Sequence, residues 1–275
     1  MKKNWKAIVA CLLIAVLSLG CFAACGSKNA SVLDKIKKAG ELKLYTEAGF
    51  APYEFLYNNE IVGVDISIME EVAKVLGVKL VIEDVNFNTI CTAVKDGKCD
   101  VGAAGITITD ERKETIDFSQ PYTSTAQYVV VLSDNNDIAA VEDMAGKSIG
   151  VQQGTTSDII VEKLINDGTL AGATSSGFTA PAVAAASLGK LDAVVTDKLT
   201  AETIVANNGD KFKCCELVNA DGSPAAEAEY YGIAVAKGNT ELLEVINGVL
   251  DKLLANGQIS AWEQEYQTIA KGLES

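Results

Sequence analysis

Asp100-Val-Gly-Ala-Ala-Gly-Ile-Thr-Ile-Thr-Asp-Glu-Arg112 reads as a strand running straight into a capped helix. Val101, Ala103 and Ile106 supply the strand, and Gly102 and Gly105 let another group approach its backbone. Thr109 is placed to cap a helix whose first turn holds Asp110 and Glu111, carboxylates that suit the positive end of the helix dipole. Arg112 then stands one turn inside. Helical Cα–Cβ bonds tilt toward the N-terminus, so its guanidinium is aimed back over the strand end, near the Gly105 carbonyl and the Thr107 hydroxyl. A planar cationic fork beside small polar groups matches a carboxylate bidentately, and the simplest ligand is a small molecule carrying one. The competing reading is an exposed helix arginine paired with Glu111 or Glu114.

The residues before this stretch build toward it. Val32 to Ala39 predicts a short helix, Glu41 to Thr46 a strand with Leu42 and Leu44 on one face, and Glu47 to Pro52 a loop at its end. Ile68, Met69, Val72, Ala73, Val75 and Leu76 recur at helical spacing up to Gly77, a natural helix stop. Val78, Leu80 and Ile82 alternate as a second strand, and Thr89 to Lys95 predicts a helix. Strand, helix, strand, helix, strand implies a parallel sheet with helical crossovers.

A second unit repeats the scheme, with strands at Lys147–Gln152, Leu191–Thr196 and Phe212–Leu217 and helices at Thr155–Ile165, Thr179–Leu188 and Leu199–Asn207. Gly97-Lys-Cys-Asp100 and its strand match Gly189-Lys-Leu-Asp192 and its strand at an offset of 92 positions. At that offset Asp197 takes the place of Gly105. Face to face across a cleft, the two strand ends match a zwitterion, with Arg112 for a carboxylate and Asp197 for an ammonium. Taken alone, Asp197 reads first as a helix N-cap ahead of Leu199, and the joint placement with Arg112 turns the reading toward a ligand. The chain then returns to the first unit through a strand at Tyr230–Ala236, a helix with its apolar stripe from Leu242 to Leu254, and a last helix from Ile259 to Ala270. Crossings near Tyr122–Gln127 and Ala226–Tyr230 would make a two-strand hinge.

Residues 1–24 read as a signal peptide, with Lys2, Lys3 and Lys6 ahead of an apolar run from Ala7 to Leu19. Phe22-Ala-Ala-Cys25 resembles a lipobox, which makes Cys25 the expected lipidation site and Cys21 the alternative; residues 25–31 are then a lipidated cysteine and tether. A lipid anchor of more than one acyl chain holds a domain stably on a membrane. The formal net charge of −14 becomes −17 without the three signal lysines, which disfavours nucleic acid as a partner. The chain has no histidine, which removes Ser-His and Cys-His nucleophile systems and most zinc sites. Cys91, Cys99, Cys214 and Cys215 read as buried free thiols, with a Cys91–Cys99 bridge as the alternative and a metal site behind both.

The chain resembles the solute-binding proteins of bacterial ABC transporters, in the polar amino-acid-binding family. The resemblance covers the mature chain from Leu33 to the C-terminal helix. It rests on Phe50-Ala-Pro-Tyr-Glu-Phe55, Gly63-Val-Asp-Ile66, Phe87, Ala104 to Arg112, Ile116-Asp-Phe-Ser-Gln-Pro-Tyr122, Gly154-Thr-Thr156, Asp192 to Asp197 and Tyr231-Gly-Ile-Ala234. Ser67 stands where the family's helix signature prefers an acid, and Glu47 where binders of glutamine or cationic amino acids often have Asp. The resemblance implies an α/β, two-lobed periplasmic-binding-protein-like fold of type II, each lobe a mostly parallel sheet flanked by helices. Lobe 1 would span residues 32–125 and 229–275, and lobe 2 residues 126–228.

By the same resemblance Arg112 clamps an α-carboxylate with the amides of Thr107, Thr155 and Thr156. Asp197, the Gly105 carbonyl and the Thr107 hydroxyl hold the α-ammonium, Phe50 and Phe87 sandwich the side chain, and Glu47, Gln152 and Gln153 read its tip. Arg112, Asp197 and a zwitterion carry no net charge together, so closure buries paired charges only. Glu47 favours a basic side chain, arginine, lysine or ornithine, although a carboxylate also accepts from a glutamine amide; cystine and histidine stay open. The implied partners are the amino acid, an ABC permease with its ATPase, and the membrane through the lipid anchor. The implied state is a monomer without cofactor or metal. Rival readings are an exported enzyme on the same fold, dehydratase-like, and a ligand-sensing domain.

Overall fold

The computed structural model describes residues 31–272, so the signal peptide and Cys25 lie outside the described residues. The first unit opens with helix α1 (Val32–Ala39), capped by the Ser31 side chain, and strand β1 (Glu41–Thr46). A small antiparallel sheet of β2 (Gly49–Phe50), β3 (Glu54–Tyr57) and β4 (Glu60–Val62) follows, where the sequence predicts only a loop up to Pro52. Then come α2 (Val64–Leu76), β5 (Lys79–Asp84), α3 (Phe87–Lys95), β6 (Val101–Gly102), α4 (Asp110–Thr115) and β7 (Ile116–Phe118). Strands β5, β1 and β6 run parallel, as the crossover helices require.

Strand β8 (Thr123–Thr125) leads to the second unit. It contains β9 (Gln127–Leu132), β10 (Ser148–Gln152), α5 (Thr156–Asn166), β11 (Thr174–Phe178), α6 (Pro181–Ala185), β12 (Ala193–Asp197), α7 (Lys198–Asn207) and β13 (Phe212–Glu216). The chain returns through β14 (Glu229–Tyr231) to β15 (Ala234–Ala236), α8 (Thr240–Ala255) and α9 (Gln258–Ala270). The two main sheets have the orders β5-β1-β6-β15-β7 and β11-β10-β12-β9-β13, and β8 pairs only with β14 in an antiparallel ribbon between them.

Several expectations are corrected in detail. The strand of the opening stretch is two residues long, because the chain leaves the sheet at Ala103 to carry Gly105 and Thr107 toward the second unit. The 179–188 helix shrinks to Pro181–Ala185, and the 230–236 strand is two strands, one in the ribbon and one in the first sheet. Strand β11, Thr-Ser-Ser-Gly-Phe, has too little apolar alternation to be seen in sequence and forms by pairing along β10.

The Gly-Lys-x-Asp repeat does the same work twice. Asp100 Oδ2 accepts from the Lys43 N–H on β1 at 2.8 Å, and Asp192 Oδ2 accepts from the Ser148 N–H on β10 at 2.7 Å. Each aspartate thus ties the third parallel strand of its sheet to the first. Both sheets bury apolar side chains on both faces. In the first sheet Leu42, Leu44, Val101 and Val235 face α2 and α8, while Ile90, Ile106 and Ala234 pack on the other side. Near-continuous burial of this kind is what helix-covered parallel strands require. Among the described residues Cys91, Cys99, Cys214 and Cys215 are all free. Cys99 is buried, Cys91 and Cys214 are half-buried and Cys215 is exposed, which corrects the expectation of four buried thiols: β13 is an edge strand, and one of two adjacent cysteines there faces outward.

Candidate functional site

The helix cap is as the sequence predicts: the Thr109 hydroxyl accepts from the Arg112 N–H at 3.2 Å, which sets α4 to begin at Asp110. The Arg112 guanidinium turns back over the strand end. Its Nη1 donates to the Thr107 carbonyl at 2.7 Å and its Nη2 to the Gly154 carbonyl of the second unit at 3.0 Å, while the group lies 5.6 Å from the centroid of the Phe87 ring. These contacts replace the alternative pairing with Glu111 or Glu114. Burial lowers the Arg112 pKa, and the Cys91 thiol and the Glu229, Glu111 and Asp197 carboxylates oppose that shift.

Asp197 occupies the N-cap position of α7, yet its side chain makes no cap hydrogen bond. Its Oδ1 instead accepts from Gln127 Nε2 at 2.7 Å and its Oδ2 from the Tyr231 hydroxyl at 2.5 Å. The carboxylate is buried, and burial together with the neighbouring Glu229 holds its pKa well above the usual carboxylate range. A buried carboxylate held this way is poised to receive a cation.

Arg112 and Asp197 line one cavity with Phe50, Phe87, Ala104, Gly105, Thr107, Gln152, Thr155 and Thr156. Its volume is about 10 Å³, room for at most a water molecule, so the two units are drawn together around it. A larger hollow of about 410 Å³ lies between Gly49, Ala51 and the helices carrying Ala182 and Thr200, but Lys211 is the one charged residue on its wall. Charge complementarity therefore places the candidate site at the small cavity.

The remaining positions follow from local structure. Gly105 adopts φ +53°, and its N–H donates to Asp65 Oδ2 at 2.9 Å. A Cβ there would stand 2.8 Å from Phe50 Cε1, so only glycine lets the Phe50 ring pack against this turn. Phe50 also stacks on Tyr53, with centroids 6.0 Å apart, and so serves both core and cavity wall. Thr155 caps α5 through its hydroxyl, and Thr156 is the first residue of that helix, whose N–H groups point out of the helix end toward the cavity. Gly154, at φ +78°, brings its turn so close to α3 that an added Cβ would lie 2.8 Å from Asn88 Cβ.

Glu47 does not line the small cavity. Its Oε2 accepts from Gln152 Nε2 at 2.9 Å, a bond between the two units, and burial pushes its pKa up to about 7. Gln153 lies against Gly177 on the neighbouring strand and is not among the cavity residues.

Glu229 is the site residue that sequence reasoning missed. It is buried on the ribbon strand β14, and its Oε2 accepts from the Thr107 hydroxyl at 2.8 Å and the Thr156 hydroxyl at 2.7 Å. Its Oε1 accepts from Gln127 Nε2 at 3.1 Å. The Thr107 hydroxyl, expected to face a ligand ammonium, is thus already engaged. A further acidic side chain thus stands near Arg112 and Asp197. The available signal was period 2: Glu229 and Tyr231 share one face of β14, and Tyr231 reaches Asp197.

The family model for bacterial extracellular solute-binding proteins, family 3, matches residues 42–269. A probable histidine-binding protein of Campylobacter jejuni is 29% identical over 227 residues, covering 82% of this chain and 84% of the relative. The arginine-binding extracellular protein ArtP of Bacillus subtilis is 28% identical over 260 residues, covering 94% and 96%. Among solved structures, the amino acid ABC transporter substrate-binding protein AbpA of Streptococcus pneumoniae, bound to L-arginine, superposes with a TM-score of 0.79 at 26% identity. That match covers 87% of this chain and all of AbpA. The arrangement is the two-lobed type II periplasmic-binding fold.

Proposed function

Because this chain belongs to the bacterial extracellular solute-binding proteins, family 3, we propose that it captures a free basic amino acid between its lobes and hands it to an ABC importer. The observation that carries the reading is the placement of opposite charges from the two units, Arg112 on α4 and Asp197 at the end of β12, on the wall of one cavity. Arg112, with the amides of Thr107, Thr155 and Thr156, would hold the α-carboxylate. Asp197 and the Gly105 carbonyl would hold the α-ammonium, and Phe50 and Phe87 would flank the side chain.

A positively charged side chain is favoured by the acids in excess of Arg112. Asp197 stands on the cavity wall and Glu47 at its edge, where ionisation of a half-buried carboxylate is eased by a cationic partner. ArtP is named for arginine and the AbpA structure holds L-arginine, which points the same way. Gln152, bonded to Glu47, would orient that carboxylate.

Lobe 1, residues 32–125 and 229–275, and lobe 2, residues 126–228, would part about the β8–β14 ribbon to admit the ligand. Contacts to both lobes then favour the closed form, since only differential affinity shifts such an equilibrium. The protein would act as a monomer with no chemistry on its ligand. Lipid on Cys25 would hold it at the membrane beside the permease and its ATPase.

The experiment is a thermal-shift panel of the common amino acids. Ligand at ~100 times its dissociation constant adds roughly 2.7 kcal/mol of stability, so arginine, lysine or ornithine should raise the melting midpoint most. A panel in which no amino acid shifts the midpoint would refute the reading.

A further inference from the structure

Glu229 belongs to neither sheet. It rides on β14, the returning strand of the ribbon, and one of its carboxylate oxygens is shared by hydroxyls from the two lobes. Thr107 comes from the loop after β6 in the first lobe, Thr156 from the start of α5 in the second, and the two hydroxyl oxygens lie 3.5 Å apart. The other carboxylate oxygen is held by Gln127 Nε2, and Gln127 Oε1 in turn accepts from Ser157 at 2.7 Å. Gln127 is buried and engaged on both sides of its amide, so it fixes where the Glu229 carboxylate stands.

Hydrogen bonds to an ionised acceptor are stronger than those between neutral groups. Parting the lobes separates Thr107 from Thr156, so one acceptor oxygen can keep both hydroxyls only in the closed form. Glu229 is not among the residues lining the small cavity, and Thr107 and Thr156 enter the proposed ligand contacts through their main-chain N–H groups and not their hydroxyls. We infer that Glu229 is a closure latch: carried on the connecting ribbon, it draws one hydroxyl from each lobe and sets how readily the lobes close, whatever side chain lies between them. The inference rests on the proposed function for what the closure achieves. It makes Glu229 a positioning residue.

A latch contributes equally to every liganded complex, because it changes the weight of the binding-competent form and not the contacts to the ligand. Two variants test this. Thr156→Val keeps the main-chain N–H and removes one hydroxyl, and Glu229→Gln replaces the shared carboxylate by an amide. Small-angle scattering of the ligand-free full chain should show a larger radius of gyration for both variants than for the unsubstituted protein. Calorimetric titration of Thr156→Val with arginine, lysine and glutamine should show all affinities weakened by one common factor, about tenfold for one charge-assisted hydrogen bond.

Both results are required. Unchanged scattering overturns the latch even where affinity falls, because it assigns these groups to the ligand itself. A loss confined to one ligand overturns it as well. Failure of the functional reading is distinct: the unsubstituted protein would then bind none of the three amino acids, and the ligand-free scattering comparison alone would decide the latch. Should Glu229→Gln not fold cooperatively, the isosteric Thr156→Val carries the test.

Discussion

Gln152 Nε2, on the second sheet, donates to Glu47 Oε2, at the end of β1, across a separation of 105 residues in sequence. With the Arg112 contact to Gly154, this bond is one of the side-chain contacts that join the two units. Glu47 is the group through which pH should reach ligand choice. Burial pushes its pKa up to about 7, so in the ligand-free closed form it holds a proton over much of the range where a free glutamate is ionised.

A cationic ligand side chain favours the ionised form, and its binding must then release that proton. Affinity for arginine should therefore rise with pH from about 5 to about 7 and level off above, with no such rise for glutamine. Glu47→Gln should flatten the arginine profile. Calorimetry across that range in buffers of different ionisation enthalpy checks both the slope and the proton release.

Gly105→Ala should damage the site from within. The added Cβ would meet Phe50 Cε1 at 2.8 Å and Tyr231 Cε2 at 3.4 Å, on a backbone held at φ +53°. The Phe50 ring must move, and overpacking of this kind costs about 1–3 kcal/mol. Denaturant unfolding should show that loss, together with weaker binding of every amino acid, because Phe50 lines the cavity. A variant with unchanged stability would show that the turn relaxes freely.

Asp65 supports Gly105 from below, and Tyr122 supports Asp65. The Tyr122 hydroxyl donates to Asp65 Oδ1 at 2.6 Å, and burial, set against that bond and the Gly105 N–H, leaves the Asp65 pKa raised to about 6. The folded chain thus keeps a proton that the unfolded chain has lost between about pH 4 and pH 6, and this contribution to stability falls as pH rises through that window. Tyr122→Phe removes a donor from a buried carboxylate. It should cost about 1–3 kcal/mol at neutral pH and deepen the fall with pH, as read from denaturation midpoints across that range. Equal pH profiles for the variant and the unsubstituted protein would contradict this.

Much of the architecture is legible because the deciding interactions are local. Thr109 caps α4 through a residue three positions away, Gly77 ends α2 in the left-handed conformation, and Asp100 and Asp192 repeat one strand-tying contact at matching places. The same repeat relates the strand end near Arg112 to the one that carries Asp197, and the two residues line one cavity. What escaped is what depends on distant partners. Strand β11 takes its extended form from β10, and the small sheet of β2, β3 and β4 forms where the sequence shows a turn-rich loop. Glu229 looks like a solvated acid in a charged stretch until the ribbon carries it between Thr107 and Thr156. The bond from Gln152 to Glu47 likewise joins residues far apart in sequence and escapes a local reading.

The central claim is that the two ends of an amino-acid zwitterion are read by Arg112 and Asp197 from opposite lobes. The most direct measurement is calorimetric titration with L-arginine beside agmatine, which lacks the α-carboxylate, and 5-guanidinopentanoate, which lacks the α-ammonium. The account predicts that L-arginine binds and that each truncated analogue loses at least about 2 kcal/mol, roughly thirtyfold, because each leaves one buried charge without its partner. Binding of agmatine or 5-guanidinopentanoate as tightly as L-arginine would contradict it.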